Sequence, residues 1–423
     1  MPRPARLLAD VRPLRESPAY RRMWAGTLVS SIGSMMTGFA LSLQVYRLTH
    51  SAFAVGAIGL TSMIPTLSVS IFGGSLADGT DRRKLVLVTS SSLAAVSALL
   101  AVQAFAGLRQ VWLLYALSAV QATLNAIDNP ARRTFTPRLL PAPLLPAGLA
   151  LSQLTFQATL VAGPALAGLI TAVGGLRLCY LIDAVSFAAS IYSIARLPAM
   201  PPLGGTAHRS LRAIADGFRF IFGSRPVAGA FLTDLSGAVL GFPFALFPAI
   251  NAERFGGSPA TLGLLTTAVG VGGLLGSVFS GPVGHIVRPG RAMLVTISVF
   301  GAAVAGFGAA GHLWLALACL AVAGAADTTT VVLRSTVVQT VIPDNLRGRI
   351  SAAEYVVGVG GPQLGGLRAG AVGSLASPTI SAVSGGLATV AGAVVIALAL
   401  PAFARYRRLD PGPAADAPAQ ATA

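Results

Sequence analysis

Charge is scarce in this chain of 423 residues: Asp, Glu, Lys and Arg together make up 10% of it, against about a quarter in soluble globular domains. That scarcity excludes an ordinary water-soluble composition, and a mean hydropathy of +0.73 shows that apolar sequence dominates. Cysteine is confined to Cys179 and Cys319, both inside apolar runs and without C-x-x-C spacing, so they read as packing residues. The four histidines, His50, His208, His285 and His312, are scattered without metal-ligand spacing. No metal or cofactor is expected. The sequence also lacks a G-x-x-x-x-G-K-[ST] phosphate loop, which removes ATP as a direct energy source. It has no nucleophile elbow and no zinc-protease motif, so enzymatic chemistry has no visible seat. A continuous apolar core is missing from the first 22 residues, which carry six arginines and four prolines. A cleavable signal peptide is therefore not expected.

What remains is apolar sequence in long runs. They fall at about 23–46, 53–77, 85–106, 112–131, 148–173 and 177–197, and resume at about 227–251, 259–284, 291–311, 313–333, 351–373 and 379–402. A transmembrane helix needs roughly 20 predominantly apolar residues. The expected fold is an all-α membrane protein with twelve transmembrane helices in two pseudo-symmetric six-helix bundles. The segments are then an N-terminal stretch 1–22, a first half 23–197, a central loop 198–226, a second half 227–402 and a tail 403–423. Twenty-five of the 30 cations lie in loops on the side of both termini, and five (Arg47, Arg109, Arg177, Arg254 and Arg368) lie on the other. By the positive-inside rule both termini are cytoplasmic. The net charge of +16 therefore reads as topology. Without an aromatic-interleaved basic face it does not indicate nucleic acid.

Within the central loop, Leu211, Ile214, Phe218 and Ile221 share one helical face. This suggests an amphipathic helix along the membrane surface, with a solvated linker as the alternative. The tail after Leu409 is rich in Pro and Ala and is expected to be disordered. The two halves repeat. Arg132-Arg133-Thr134-Phe135 with Pro141 recurs 202 residues later as Arg334-Ser335-Thr336-Val337 with Pro343. Gly163-Pro164-Ala165-Leu166-Ala167-Gly168 returns as Gly361-Pro362-Gln363-Leu364-Gly365-Gly366. Paired halves with matching motifs are the layout of transporters that rock one bundle against the other.

The loop between the second and third runs reads GSLADGTDRRK over 74–84. It resembles the signature G-x-L-A-D-x-x-G-[RK]-[RK] of the major facilitator superfamily, keeping Gly74, Leu76, Ala77, Asp78, Arg82 and Arg83. Asp81 stands where the second glycine would be. The resemblance implies a conformational gate in which Gly74, Asp78, Arg82, Arg83 and Asp128 form a charge cluster that latches the outward-facing state. Asp81 competes for the same arginines. The G-P-x-x-G-G elements, Gly163, Pro164 and Gly168 in the fifth helix and Gly361, Pro362, Gly365 and Gly366 in the eleventh, resemble the kink motif of exporting antiporters. Generic tight packing is the other reading of these glycines.

In that superfamily the first, fourth, seventh and tenth helices line the cavity. The resemblance thus implies a substrate cavity with Ser30, Ser34, Gln44, Gln121 and Asn125, and proton coupling at Asp234 and Asp327. Charged groups in membrane helices are costly and usually face a cavity. Asp183 and Glu354 are then helix-end or structurally paired acids, and a structural hydrogen bond is the alternative for all four. Asn125 and Asp327 occupy matching repeat positions. Phe242 and Phe244 offer aromatic surface, although phenylalanine in such a run mostly packs or faces lipid.

Residues 18–408 resemble the enterobactin (siderophore) exporter branch of the superfamily. QVYRLTHSAFAV at 44–55, DNPARRTF at 128–135, RAIADGFRFIF at 212–222 and QTVIPDNLRGRI at 339–350 carry this likeness. It implies a monomeric, proton-coupled exporter of a siderophore or related small molecule in a bacterial cytoplasmic membrane, with protons, the lipid bilayer and the small-molecule substrate as its partners. A multidrug or antibiotic efflux pump is the rival within the superfamily. A non-transporting membrane sensor or scaffold is the rival outside it.

Overall fold

The computed structural model describes residues 10–72, 80–201, 211–279, 281, 286–341 and 346–406. Twelve long helical segments follow one another: α1 (Pro18–Thr49), α2 (Ala52–Phe72), α3 (Arg82–Phe105), α4 (Val111–Arg133), α5 (Leu145–Gly174) and α6 (Leu176–Ala195). The second set is α7 (Arg225–Leu240, resumed at Phe247–Arg254), α8 (Pro259–Val278), α9 (Pro289–Ala309), α10 (Leu313–Val341), α11 (Arg347–Leu375) and α12 (Pro378–Ala399). Among the described residues there is no strand, and ten helices are long and apolar enough to cross a membrane. The other two, α4 and α11, carry the polar residues Gln121, Asn125, Asp128, Glu354 and Gln363 along their length.

Local chemistry sets the helix starts. Proline opens α1, α8, α9 and α12, where its missing N–H costs no hydrogen bond. The Ser17 hydroxyl accepts from the Tyr20 N–H at 3.2 Å, Ser377 accepts from Ile380 at 3.1 Å and Asp81 accepts from Arg83 at 2.9 Å. Each satisfies a donor that the first helical turn leaves open. Asp81, expected to compete for the loop arginines, is thus the N-cap of α3.

Packing sorts the helices into two bundles. α1 lies along α5 and α6, α3 along α4 and α6, and α2 along α4; in the second bundle α8 and α9 both pack on α10, α9 on α12, and α7 on α11. Two lengthwise pairs, α5 with α8 and α2 with α11, join the bundles. Backbone touches backbone along both. A Cβ added to Gly168 would stand 2.8 Å from the Pro259 carbonyl oxygen, and one on Gly263 2.8 Å from that of Pro164. On the other seam, a Cβ on Gly56 would lie 2.5 Å from the Gly366 carbonyl oxygen. The G-P-x-x-G-G glycines therefore do different work: Gly168 and Gly366 belong to the seams, Gly163 meets Met35, and Gly361 and Gly365 meet Ala238 of α7. Pro164 and Pro362 lie inside their helices. Gly168→Val is expected to destabilise the protein by about 1–3 kcal/mol through overpacking, read as a lowered Tm in detergent. An unchanged Tm would show that the seam has slack.

The central-loop amphipathic helix is present as Leu211–Gly223. It docks on the second bundle instead of standing apart. Phe218 and Ile221 pack with Phe231, Ile350 and Ala353, and Arg349 pairs with Asp216 at 3.2 Å.

Candidate transport site

The run expected to be continuous at 227–251 is broken. Helix α7 stops at Leu240, passes through Gly241-Phe242-Pro243, makes a short 3-10 turn at Phe244–Leu246 and restarts at Phe247. Proline has no N–H to donate and clashes with the preceding turn, which halts a helix. The break turns Phe242, Phe244 and Phe247 into one aromatic wall, with ring centroids 4.7 Å and 5.0 Å apart in sequence. The edge of Phe307 backs it at 5.4 Å.

That wall bounds a cavity of about 550 Å³ between the bundles. Ser34, Met35 and Gly38 of α1, Gln157, Leu160 and Pro164 of α5, Thr266 and Val269 of α8, and Leu320, Asp327 and Thr328 of α10 complete it. Phe242 and Phe244 are therefore cavity residues, not lipid-facing ones. A vestibule of about 660 Å³ shares Ser34, Met35 and Gly38 with the cavity. It runs past Ser30, Gln121, Asn125 and Asp128 to Arg132, Arg133 and Thr136, at the terminal face, where α1 begins and α12 ends. At the opposite face α2 and α11 are pinned together. The Phe53 N–H donates to Ser374 Oγ at 2.9 Å, and the Ser51 and Ser374 hydroxyls lie 3.3 Å apart. The cavity thus communicates with the face of the termini.

The four membrane acids differ in their surroundings. Asp327 stands on the cavity wall and makes no hydrogen bond or ion pair among the described residues. Asp234, given the same coupling role from the sequence, is paired instead. Arg334 of α10 donates to its Oδ2 at 2.6 Å and also lies over the Phe231 ring at 5.7 Å. The half-buried Glu354 and Asp327 are within electrostatic reach of that pair. Asp183 is completely buried in the first bundle, away from any helix end. Its Oδ2 accepts from both Thr37 and Ser97, each at 2.7 Å, and its Oδ1 from Ser34 at 3.4 Å.

The gate residues are only partly visible, since Gly74 and Asp78 lie outside the described residues. Asp128 pairs with Arg132 one turn along its own helix and accepts from Thr89, while Arg132 also donates to Ser90 at 2.7 Å and Ser190 at 3.1 Å. Its partner here is not Arg82, whose backbone N–H donates to Met200 O at 3.1 Å. The Arg83 guanidinium reaches across to the Ala195 carbonyl at the end of α6. One further correction concerns Gln44. It is held inside the first bundle by reciprocal amide bonds with Gln103 at 3.1 and 3.0 Å and by Tyr180 Oη at 2.7 Å. It borders a separate depression beside Arg47, Arg109 and Arg177 at the far face, because its position near the end of α1 lies beyond the cavity. Gln157 escaped notice in the sequence. Its amide donates to Ser277 at 3.0 Å and ties α5 to α8 beside the cavity.

Membrane-length helices in two joined bundles, around a central cavity that communicates with one face, define a membrane transporter. The family model described as transmembrane secretion effector matches residues 9–418. The chain belongs to this family of the major facilitator superfamily. It is 28% identical over 410 residues to the enterobactin exporter EntS of Escherichia coli O1:K1 / APEC, covering 96% of this chain and 97% of that protein. In fold it is similar to a bacterial homologue of the iron transporter ferroportin in an inward-facing state, with a TM-score of 0.68, 16% identity and coverage of 92% and 99%. It is also similar to the nucleoside transporter NupG, with a TM-score of 0.67, 14% identity and coverage of 92% and 100%. These relatives are transporters, not enzymes.

Proposed function

We propose that the protein is a proton-driven exporter that carries a siderophore, or a related secreted small molecule, out through a bacterial cytoplasmic membrane. The observation that carries this reading is the central cavity: an aromatic wall faces an unpaired acid, and the vestibule leads from both to the face of the termini. The excess of arginine on that face supports a cytoplasmic orientation for it, which would let the cavity load from inside the cell. Flat aromatic cargo such as a catechol ring stacks well on phenylalanine. Asp327 would carry the coupling proton, since it is an acid on the cavity wall that makes no hydrogen bond or ion pair among the described residues. Export then alternates between cargo bound from the cytoplasm and a proton bound from outside. The likeness over nearly the whole length to an enterobactin exporter supports the siderophore.

One observation favours a second reading, efflux of drugs or antibiotics. Among the described residues the cavity wall contains no arginine or lysine, so recognition would rest on apolar and aromatic contact, which accommodates many shapes. The deciding experiment measures siderophore inside and outside iron-starved cells with and without the gene. Intact molecule is expected to accumulate inside and fall in the medium when the gene is deleted. Unchanged secretion combined with new sensitivity to toxic compounds would establish the second reading.

A further inference from the structure

A groove between α9 and α12, remote from the transport cavity, has a basic mouth. It encloses about 1060 Å³ and opens at the face of the termini. At Gly301 and Gly386 the two backbones touch, since a Cβ on Gly301 would stand 2.6 Å from the Gly386 carbonyl oxygen. From there toward the terminal face small or branched side chains, Ala302, Val390, Ala393, Val394 and Ala397, line the groove. Ser298 adds little polarity, because its hydroxyl is satisfied by the Leu294 carbonyl at 2.8 Å.

At the wide end stand Arg288, Arg291 and Arg405. All three are exposed, and among the described residues none is paired with a carboxylate. Arg405 is brought there by a short helix, Pro401–Ala404, whose Phe403 is completely buried against Gly229 and Gly290. Gly290 lies between the other two arginines, so this plug fixes the third cation beside them. The length of the groove is informative. From Arg291 to Ala302 the helix rises roughly 16 Å at 1.5 Å per residue, close to one leaflet of a hydrocarbon core about 30 Å thick.

We infer that this groove binds an anionic phospholipid, its phosphate held by Arg288, Arg291 and Arg405 and one acyl chain lying between α9 and α12. Three unpaired cations select a negative headgroup, and an apolar channel one leaflet deep selects a chain rather than a soluble anion. Neither feature alone makes this choice.

The test uses the full chain purified in detergent, with native mass spectrometry and thermal shift as readouts. Phosphatidylglycerol is expected to be retained and to raise the Tm, whereas phosphatidylcholine with the same acyl chains is not. The triple substitution R288Q/R291Q/R405Q is expected to weaken phosphatidylglycerol binding about a hundredfold, from roughly one surface-cation contribution for each arginine. Val394→Trp, at a half-exposed position, fills the groove while leaving the arginines intact and is expected to weaken it as well. Equal retention of both lipids, or full binding by the triple variant, would overturn the inference. Stabilisation by inorganic phosphate equal to that by the lipid would overturn it too, because the groove would then be idle. So would undiminished lipid binding by the tryptophan variant.

Discussion

Asp327→Asn is expected to reduce transport driven by a pH gradient to background while the protein still folds and still exchanges cargo without a gradient. The carboxyl lies on the wall of the central cavity with no partner among the described residues. Asparagine keeps its shape and hydrogen-bonding oxygen but cannot carry a proton. An amide already stands at the matching position of the first bundle, where Asn125 borders the vestibule. Everted membrane vesicles separate the two properties: an imposed pH gradient reads coupling, and counterflow of labelled cargo reads binding and rocking. Full gradient-driven transport by the variant would remove Asp327 from the coupling path and direct attention to Asp183. Loss of counterflow as well would assign Asp327 to cargo binding.

The second large effect concerns Asp234 and Arg334, which form an ion pair at 2.6 Å with side chains only 14% and 12% exposed. Removing one member strands the other charge in a low-dielectric interior, at a cost of about 3–5 kcal/mol for a single substitution. Removing both relieves that penalty. Asp234→Ala and Arg334→Ala are each expected to lower the Tm in detergent sharply, and the double variant is expected to recover much of the loss. Thermal unfolding of the four species forms a double-mutant cycle, which isolates the coupling between neighbours. Additive losses would show that the pair contributes no mutual stabilisation. An Asp234→Asn variant that keeps its Tm but loses gradient-driven transport would return this residue to the coupling role expected from sequence.

The helices were legible because a membrane imposes one coarse requirement, a length of apolar sequence, and short polar loops punctuate it. The glycines of the two proline motifs were legible as sites of close approach, although the sequence alone did not say which neighbour each would meet. Gln44 lies away from the cavity because polarity on a cavity-lining helix also serves hydrogen bonds inside the bundle. Gln103 and Tyr180, its partners, are 59 and 136 residues away. The ion pair of Asp234 is hidden from the sequence for the same reason, its cation lying 100 residues further along the chain. Two local signals were present and underweighted. Pro243, next to Gly241 and Phe242, announced the break that builds the aromatic wall. Arg132, four residues after Asp128, was the nearest cation by helical geometry, ahead of Arg82 across a loop.

The glycine contacts along the seams of α5 with α8 and α2 with α11 bear on how fast the transporter turns over. Where backbone meets backbone, as at Gly168 with Gly263 and Gly56 with Gly366, the surface behaves like a plain bearing: one body rolls on the other with little to withdraw and reinsert. What resists the motion is then a small number of discrete latches, among them Gln157 with Ser277 and Ser374 with Phe53 and Ser51. Each such hydrogen bond contributes a net ~0.5–1.5 kcal/mol. Thermal agitation breaks contacts of that size readily, and cargo or a proton needs only a modest preference for one tilt to bias the cycle.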